Sequence, residues 1–290
     1  MCILLTTNAN KDYRFILLSN RDEYYQRATQ LASFHEYNNV KILSPLDLAR
    51  KDHGTWIALN TENDKFAILV NYREGIKEAI NPVSRGVLPQ DYVVSNSTTR
   101  SQFLNELSAK YDDGELLSKI GGFNLLFGDL SSNSFDIISN KNNSDFKIFT
   151  TKDEYHGLSN SSFDEPWEKV RIGEQLLREY TENYNNSTST INKEDLVESL
   201  FNLLSYNTME NITNDFQGNF ENIKNSIFIP PLKVRDYNRN NVLAGQWYGT
   251  RTQTVILVDN HGHVSYIERN LHSSDDLDES PQTQKFEFEL

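Results

Sequence analysis

Strand-forming runs crowd both ends of this chain and the helical periods lie between them, an order that favours an α+β architecture over a parallel sheet built of βαβ units. Short apolar and β-branched runs alternate with turn signals over 3–7, 15–19, 56–59 and 66–70. A helical stretch follows at 102–110, where Phe103, Leu104 and Leu107 share one face, and strands resume at 123–127 and 134–138. Two longer helices are expected at 165–180 and 193–204; in the first, Trp167, Val170, Glu174 and Leu177 keep helical spacing. The clearest β-pattern comes late: 252–258, a turn at 260–263, then 264–268, which together read as a hairpin. The strict apolar and acidic alternation of 286–290 reads as a half-buried strand. The fold class is therefore α+β. Polar tracts at 183–192 and 208–225 break the pattern, the first as a surface loop and the second as a lid or a disordered stretch. No repeat or domain boundary is visible, so 1–290 reads as a single domain.

At 290 residues and 37% apolar composition the chain can fill a sizeable core. A formal charge of −13 argues against nucleic acid or an anionic membrane as the main partner, since both require basic patches. The surplus acid collects at 112–115 and 273–279, segments that read as solvated surface. No apolar run is long enough to span a bilayer, and the first residues lack the pattern of a secretory signal. The expected setting is cytoplasmic. A single cysteine rules out an internal disulfide and fits a reducing compartment, so the sequons at Asn96 and Asn211 reflect asparagine richness. The histidines have no Cys or Met partner at ligand spacing, and His261 and His263 flank a turn glycine at a hairpin tip. Neither a metal site nor a cofactor is derivable from them.

That single cysteine, Cys2, follows the initiator methionine directly and precedes the first strand. Methionine is ordinarily removed before so small a residue. One residue would then carry both a thiol and an α-amine titrating at about 8, a nucleophile with its own base. The blander reading is a small buried hydrophobe. The polar cluster Asn20-Arg21-Asp22-Glu23 interrupts the run expected to pair with the Cys2 strand. Strand alternation puts Asn20 and Asp22 on one face and Arg21 and Glu23 on the other. A guanidinium near the sulfur lowers its pKa and a carboxylate orients the α-ammonium; a strand-end ion pair is the structural alternative.

Nine blocks then follow in order: Met1-Cys2, Asn20-Arg21-Asp22-Glu23, Gly54-Thr55-Trp56, Asn71-Tyr72, Ser84-Arg85-Gly86, Gly122-Phe123-Asn124-Leu125, Gly157-Leu158-Ser159-Asn160, Pro166-Trp167 and Tyr248-Gly249-Thr250-Arg251-Thr252. Together they resemble the transport-and-Golgi-organisation family, also called the NRDE family. The resemblance implies a four-layered αββα sandwich of the N-terminal nucleophile hydrolase type, related to cysteine amidases and acyltransferases. By that resemblance Cys2 is the nucleophile, Arg21 the arginine beside the thiol, and Asp22 the carboxylate that holds the amine. It also implies Asn71 and Asn160 as oxyanion residues, Arg251 as the distal arginine, and Asn20, Glu23 and Tyr72 as binding residues. The amidases separate arginine and aspartate by two residues, whereas Arg21 and Asp22 are adjacent, which leaves Glu23 as the alternative carboxylate. Turn capping by Asn71 and Asn160, and bracing of the last hairpin by Arg251, are the structural alternatives.

The function implied is Golgi organisation and secretion with intracellular lipid or haem homeostasis, exercised through amidase or acyl-transfer chemistry at Cys2. The alternative is a non-catalytic carrier that uses the same pocket for haem or an acyl-thioester. The ligand expected is a small acyl or haem molecule, haem being transported cargo. Association with Golgi or mitochondria, through a peripheral membrane contact or a protein partner, is implied in the same way.

Overall fold

The computed structural model describes residues 2–73, 83–111, 120–140, 146–151, 153–210, 212–213, 215–234 and 245–290. Met1, residues 112–115 and Asn211, all singled out in the sequence, lie outside the described residues. The chain divides into two compact units, one made of Met1–Ala28, Asp153–Ser159 and Glu165–Glu289, the other of Thr29–Lys152 and Asn160–Asp164 with Leu290. The described residues form two antiparallel sheets and five α-helices, an α+β fold.

The first unit is built on a long central pair. β2 (Tyr13–Tyr24) and β12 (Trp247–Asp259) run antiparallel, with β1 (Ile3–Thr7) and β10 (Tyr155–Leu158) on one side. On the other side lie β13 (His263–Asn270) and β14 (Gln282–Glu289), while the short β11 (Leu232–Lys233) pairs with the start of β12. One face of this sheet carries Ile3, Leu5, Ile16, Leu18, Val255 and Leu257, buried under helices α3 (Glu168–Asn186) and α4 (Lys193–Leu204). Helix α3 comes close enough that a Cβ on Gly173 would stand 2.7 Å from a methyl of Leu5, and one on Gly157 would stand 2.6 Å from Val170.

The second unit is a meander whose strands lie in chain order: β3 (Thr29–Tyr37), β4 (Val40–Asp47), β5 (Ile57–Asn60), β6 (Lys65–Asn71), β7 (Phe123–Asp129), β8 (Asp136–Asn140) and β9 (Phe146–Thr150). Helices α1 (Val87–Val94) and α2 (Arg100–Tyr111) cover it, with Leu88, Tyr92, Phe103 and Leu107 packed on Ala67, Leu125 and Phe127. Two motif blocks meet here. Gly54 and Gly86 approach so closely that a Cβ on Gly54 would lie 2.6 Å from the Gly86 carbonyl carbon, and Thr55 N–H donates to the Gly86 carbonyl at 2.9 Å.

Several elements differ from the sequence expectation. Strands β3 and β4 have no counterpart in it, because the mixed polar surface of β3 hides the period; their two-residue turn is Asn38-Asn39, both at positive φ (51° and 63°). Helix α1 is buried along nearly its whole length and so shows no amphipathic period, while Pro89 falls in its first turn, where proline is tolerated. The tract at 183–192 is a loop only after Asn186, since Thr181 and Tyr184 are buried and the Tyr184 hydroxyl donates to Asp12 at 2.9 Å. The 208–225 tract is neither a lid nor disordered over its described residues. It carries helix α5 (Phe216–Asn222) and a 3-10 turn at Ile223–Asn225, with Met209 and Ile223 packed against Ile229, Leu232 and Tyr248. Among the described residues no helix is long and apolar enough to cross a membrane.

A Gly54→Ala substitution pushes a methyl into backbone that cannot yield, so a loss of about 2 kcal/mol or more is expected from urea unfolding. A wild-type midpoint would contradict the close approach.

Candidate functional site

The antiparallel registers gather most of the singled-out residues in the first unit. Ile3 lies opposite Asn20 and Leu4 opposite Ser19, so Cys2, immediately before β1, comes to the neighbourhood of Arg21. The Ser159 hydroxyl holds the Cys2 carbonyl at 2.7 Å. On the far side of β2, Thr250 pairs with Asp22 and Thr252 with Arg21, which leaves Arg251 as the extra residue of a β-bulge. A bulge of this kind re-aims a side chain next to a functional position. The Arg251 Nε donates to the His272 carbonyl at 3.0 Å and its Nη1 to the Arg27 carbonyl. Burial, with the Arg21 charge adding to it, brings the Arg251 guanidinium down to about 10.

Alternation along β2 separates two groups, as the sequence predicts. Asn20 and Asp22 face the helices. Asn20 is fully buried and donates to the carbonyls of Leu204 and Ile227 at 2.7 and 2.9 Å, so it ties the end of α4 to the sheet. Asp22 accepts the Thr250 hydroxyl at 2.8 Å through Oδ1, and its Oδ2 lies 3.6 Å from the Lys169 Nζ of α3; both side chains of that pair have no exposure. Arg21 and Glu23 occupy the other face, 3.6 Å apart, and Arg27 stands at 3.6 Å from the same Glu23 oxygen. Burial pushes the Glu23 carboxyl up, but Arg27 and then Arg21 outweigh it and hold the group below the usual glutamate range.

The choice between Asp22 and Glu23 therefore has a geometric content: Glu23 is engaged by two arginines, and Asp22 is the carboxylate sealed beside Cys2. Burial pushes the half-buried Cys2 thiol up, and the Asp22 charge adds to this. The Arg21 guanidinium and a hydrogen bond from the Asp22 backbone pull it back. Burial likewise raises the Asp22 carboxyl, with Lys169 opposing, and lowers the Lys169 ammonium, with Asp22 opposing.

Asn71, Tyr72 and Asn160 belong to the second unit and meet one another there. The Asn160 amide donates to the Asn71 carbonyl, the Arg73 N–H donates to the Asn160 carbonyl at 2.9 Å, and the Tyr72 N–H donates to Gly122 at 2.9 Å. The Asn71 side chain is exposed at the end of β6 and Tyr72 is half-buried.

Lys169 escaped the sequence reading, although a signal was present. It lies four residues before Gly173 and eight before Leu177, on the stripe that α3 buries. His261 and His263 sit at the hairpin tip, where their N–H groups donate to Asp259, and among the described residues no three His, Cys, Asp or Glu side chains are placed to hold a metal ion.

Residues 1–273 match the family model described as Transport and Golgi organisation 2. The chain belongs to that family. It is 34% identical over 269 residues to the human Transport and Golgi organization protein 2 homolog, covering 91% of this chain and 88% of that one. The mouse Transport and Golgi organization 2 homolog is 32% identical over 281 residues, with 96% and 93% covered. An uncharacterized protein of Saccharomyces cerevisiae is 30% identical over 323 residues, covering 100% of each chain. Among solved structures, the Caenorhabditis elegans N-acylethanolamine-hydrolyzing acid amidase ortholog superposes with a TM-score of 0.48 at 11% identity, over 88% of this chain and 92% of that one.

Because the fold lowers the Glu23 pKa, its ionised form contributes stability above the usual glutamate range, and that contribution is lost as the pH falls through the lowered value. A Glu23→Gln variant is expected to be less stable than wild type at neutral pH. The two should converge in acid, read as urea midpoints against pH, and a constant offset would remove the arginine pairing as the cause.

Proposed function

We propose that this Transport and Golgi organisation 2 family member uses Cys2 as an N-terminal nucleophile for acyl transfer from an amide or thioester, within a fold of the N-terminal nucleophile hydrolase type. The observation that carries the reading is the placement of Cys2 beside Arg21 and the buried Asp22, where one group tunes the thiol and the other can orient an α-ammonium. Once Met1 is removed, the α-amine takes the thiol proton and the sulfur attacks the carbonyl carbon, forming a C–S bond. The tetrahedral adduct expels the amine or thiol, which leaves with the proton from the α-ammonium. Water then attacks the Cys2 thioester, the acid departs and the thiol is restored. Golgi organisation, the role in the names of the relatives, is the process this chemistry would serve, with lipid or haem homeostasis as its wider setting and the cytoplasmic face of Golgi or mitochondria as its place.

One observation favours a second reading. Burial pushes the Cys2 thiol up, which leaves less thiolate at neutral pH and suits a carrier of haem or an acyl-thioester that performs no turnover. Stoichiometric binding in an absorbance titration with haemin, retained in Cys2→Ala, would favour the carrier.

The test of acyl transfer is the intact mass and N-terminal sequence of the natively produced protein before and after a β-lactone probe. A chain beginning at Cys2 that gains one adduct on that residue, lost in Cys2→Ala, is expected. Retained Met1 with an unlabelled Cys2 would overturn it.

A further inference from the structure

Lys169 is a lysine in a place that opposes it. It lies in the first turn of α3, where the helix dipole disfavours a cation, and its side chain has no exposure to water. Gly173 lets this helix close onto Leu5 of β1, which drives the first turn down onto the sheet. Among the described residues its Nζ has no hydrogen-bond partner within 3.5 Å, and the charged group it faces is the Asp22 carboxylate at 3.6 Å. An apolar side chain of similar length would fill the same stripe without the cost of desolvating an ammonium. Packing therefore does not explain the lysine, whereas its aim at Asp22 does.

We propose that Lys169 is a positioning residue for the Cys2 site: its sealed ammonium, together with the Thr250 hydroxyl, keeps Asp22 a carboxylate oriented to hold the α-ammonium of Cys2. This rests on the acyl-transfer reading. The groups that bear on Asp22 are Lys169 from α3, Thr250 and the Tyr248 hydroxyl from β12, the Cys2 thiol at the head of β1, and the Tyr25 hydroxyl from its own segment. Among the described residues Lys169 is the side-chain cation paired with Asp22, while Arg21 is turned to the other face with Glu23. Removing the lysine leaves the buried carboxyl with the Thr250 hydroxyl and the Cys2 α-ammonium, so its protonated form gains ground. Arginine, which keeps its charge, should preserve part of the effect.

The experiment titrates Asp22 by NMR in protein labelled with carboxyl 13C-aspartate, its signal assigned with Asp22→Asn, and measures β-lactone labelling of Cys2 against pH. In Lys169→Met the Asp22 titration is expected to rise by one pH unit or more and Cys2 labelling at neutral pH to fall at least tenfold, with partial recovery in Lys169→Arg. A folded Lys169→Met whose Asp22 titrates as in wild type overturns the proposal. If Lys169→Met does not fold, the neutral pair Asp22→Asn/Lys169→Met replaces it. That variant is expected to fold and to label at least tenfold more slowly, and labelling at the wild-type rate overturns the proposal. Wild-type Cys2 that never takes the probe overturns acyl transfer, and the NMR shift then decides the lysine separately.

Discussion

The pairing of β2 with β12 is the contact on which the rest of the first unit depends. It runs from Tyr13 opposite Asp259 to Tyr24 opposite Tyr248, and it joins the first thirty or so residues of the chain to its last fifth. A one-residue slip would turn Leu18 and Val255 out of the core and send Asn20 and Asp22 to the wrong face. The buried face under α3 and α4 forbids that slip, so the apolar residues early in β2 dictate where its polar end must point. The assembly of the candidate site is a consequence of register.

The bulge at Arg251 is the one irregularity this pairing tolerates beside the site, and it falls between Thr250 and Thr252. Without it the two threonines and the arginine would alternate in step with β2. With it, Thr250 reaches Asp22 while the Arg251 guanidinium binds the carbonyls of Arg27 and His272 on the side of Arg21 and Glu23. Charges are thereby sorted by face: the buried Asp22–Lys169 pair on the helix side, and Arg21 and Arg27 around Glu23 on the other. Buried charges of either kind are expensive, and the two carboxylates each have two partners: Asp22 has Thr250 and Lys169, and Glu23 has Arg21 and Arg27.

Burial acts against ionisation at the candidate site. The same enclosure that excludes water from Asp22 and Lys169 pushes both toward their neutral forms and makes the Cys2 thiol harder to ionise. The opposite charges of Asp22 and Lys169, 3.6 Å apart, work against that push, an arrangement that no single residue type announces.

Much of the scaffold was legible from local pattern. The runs at 3–7 and 193–204 became β1 and α4 with those bounds, and the late hairpin became β12 and β13, because each has a clear period and a polar boundary. The face assignment along β2 followed from alternation alone. Of the elements that stayed hidden, β3, β4 and α1 have a period blurred by a solvated edge or erased by burial on all sides, while β9, β10, β11 and α5 are too short to show one. Lys169 stayed hidden for a related reason: a lysine on an otherwise apolar stripe reads as surface until the partner across the chain is known. By itself the sequence determined the α+β class, the family through its ordered blocks, and the clustering of Asn20 to Glu23 at a strand end. Only the tertiary structure decided that Asp22 rather than Glu23 is the sealed carboxylate, that Asn20 is a structural tie, and that a lysine 147 positions downstream completes the pair. Those choices depend on long-range register and helix approach, which no local window contains.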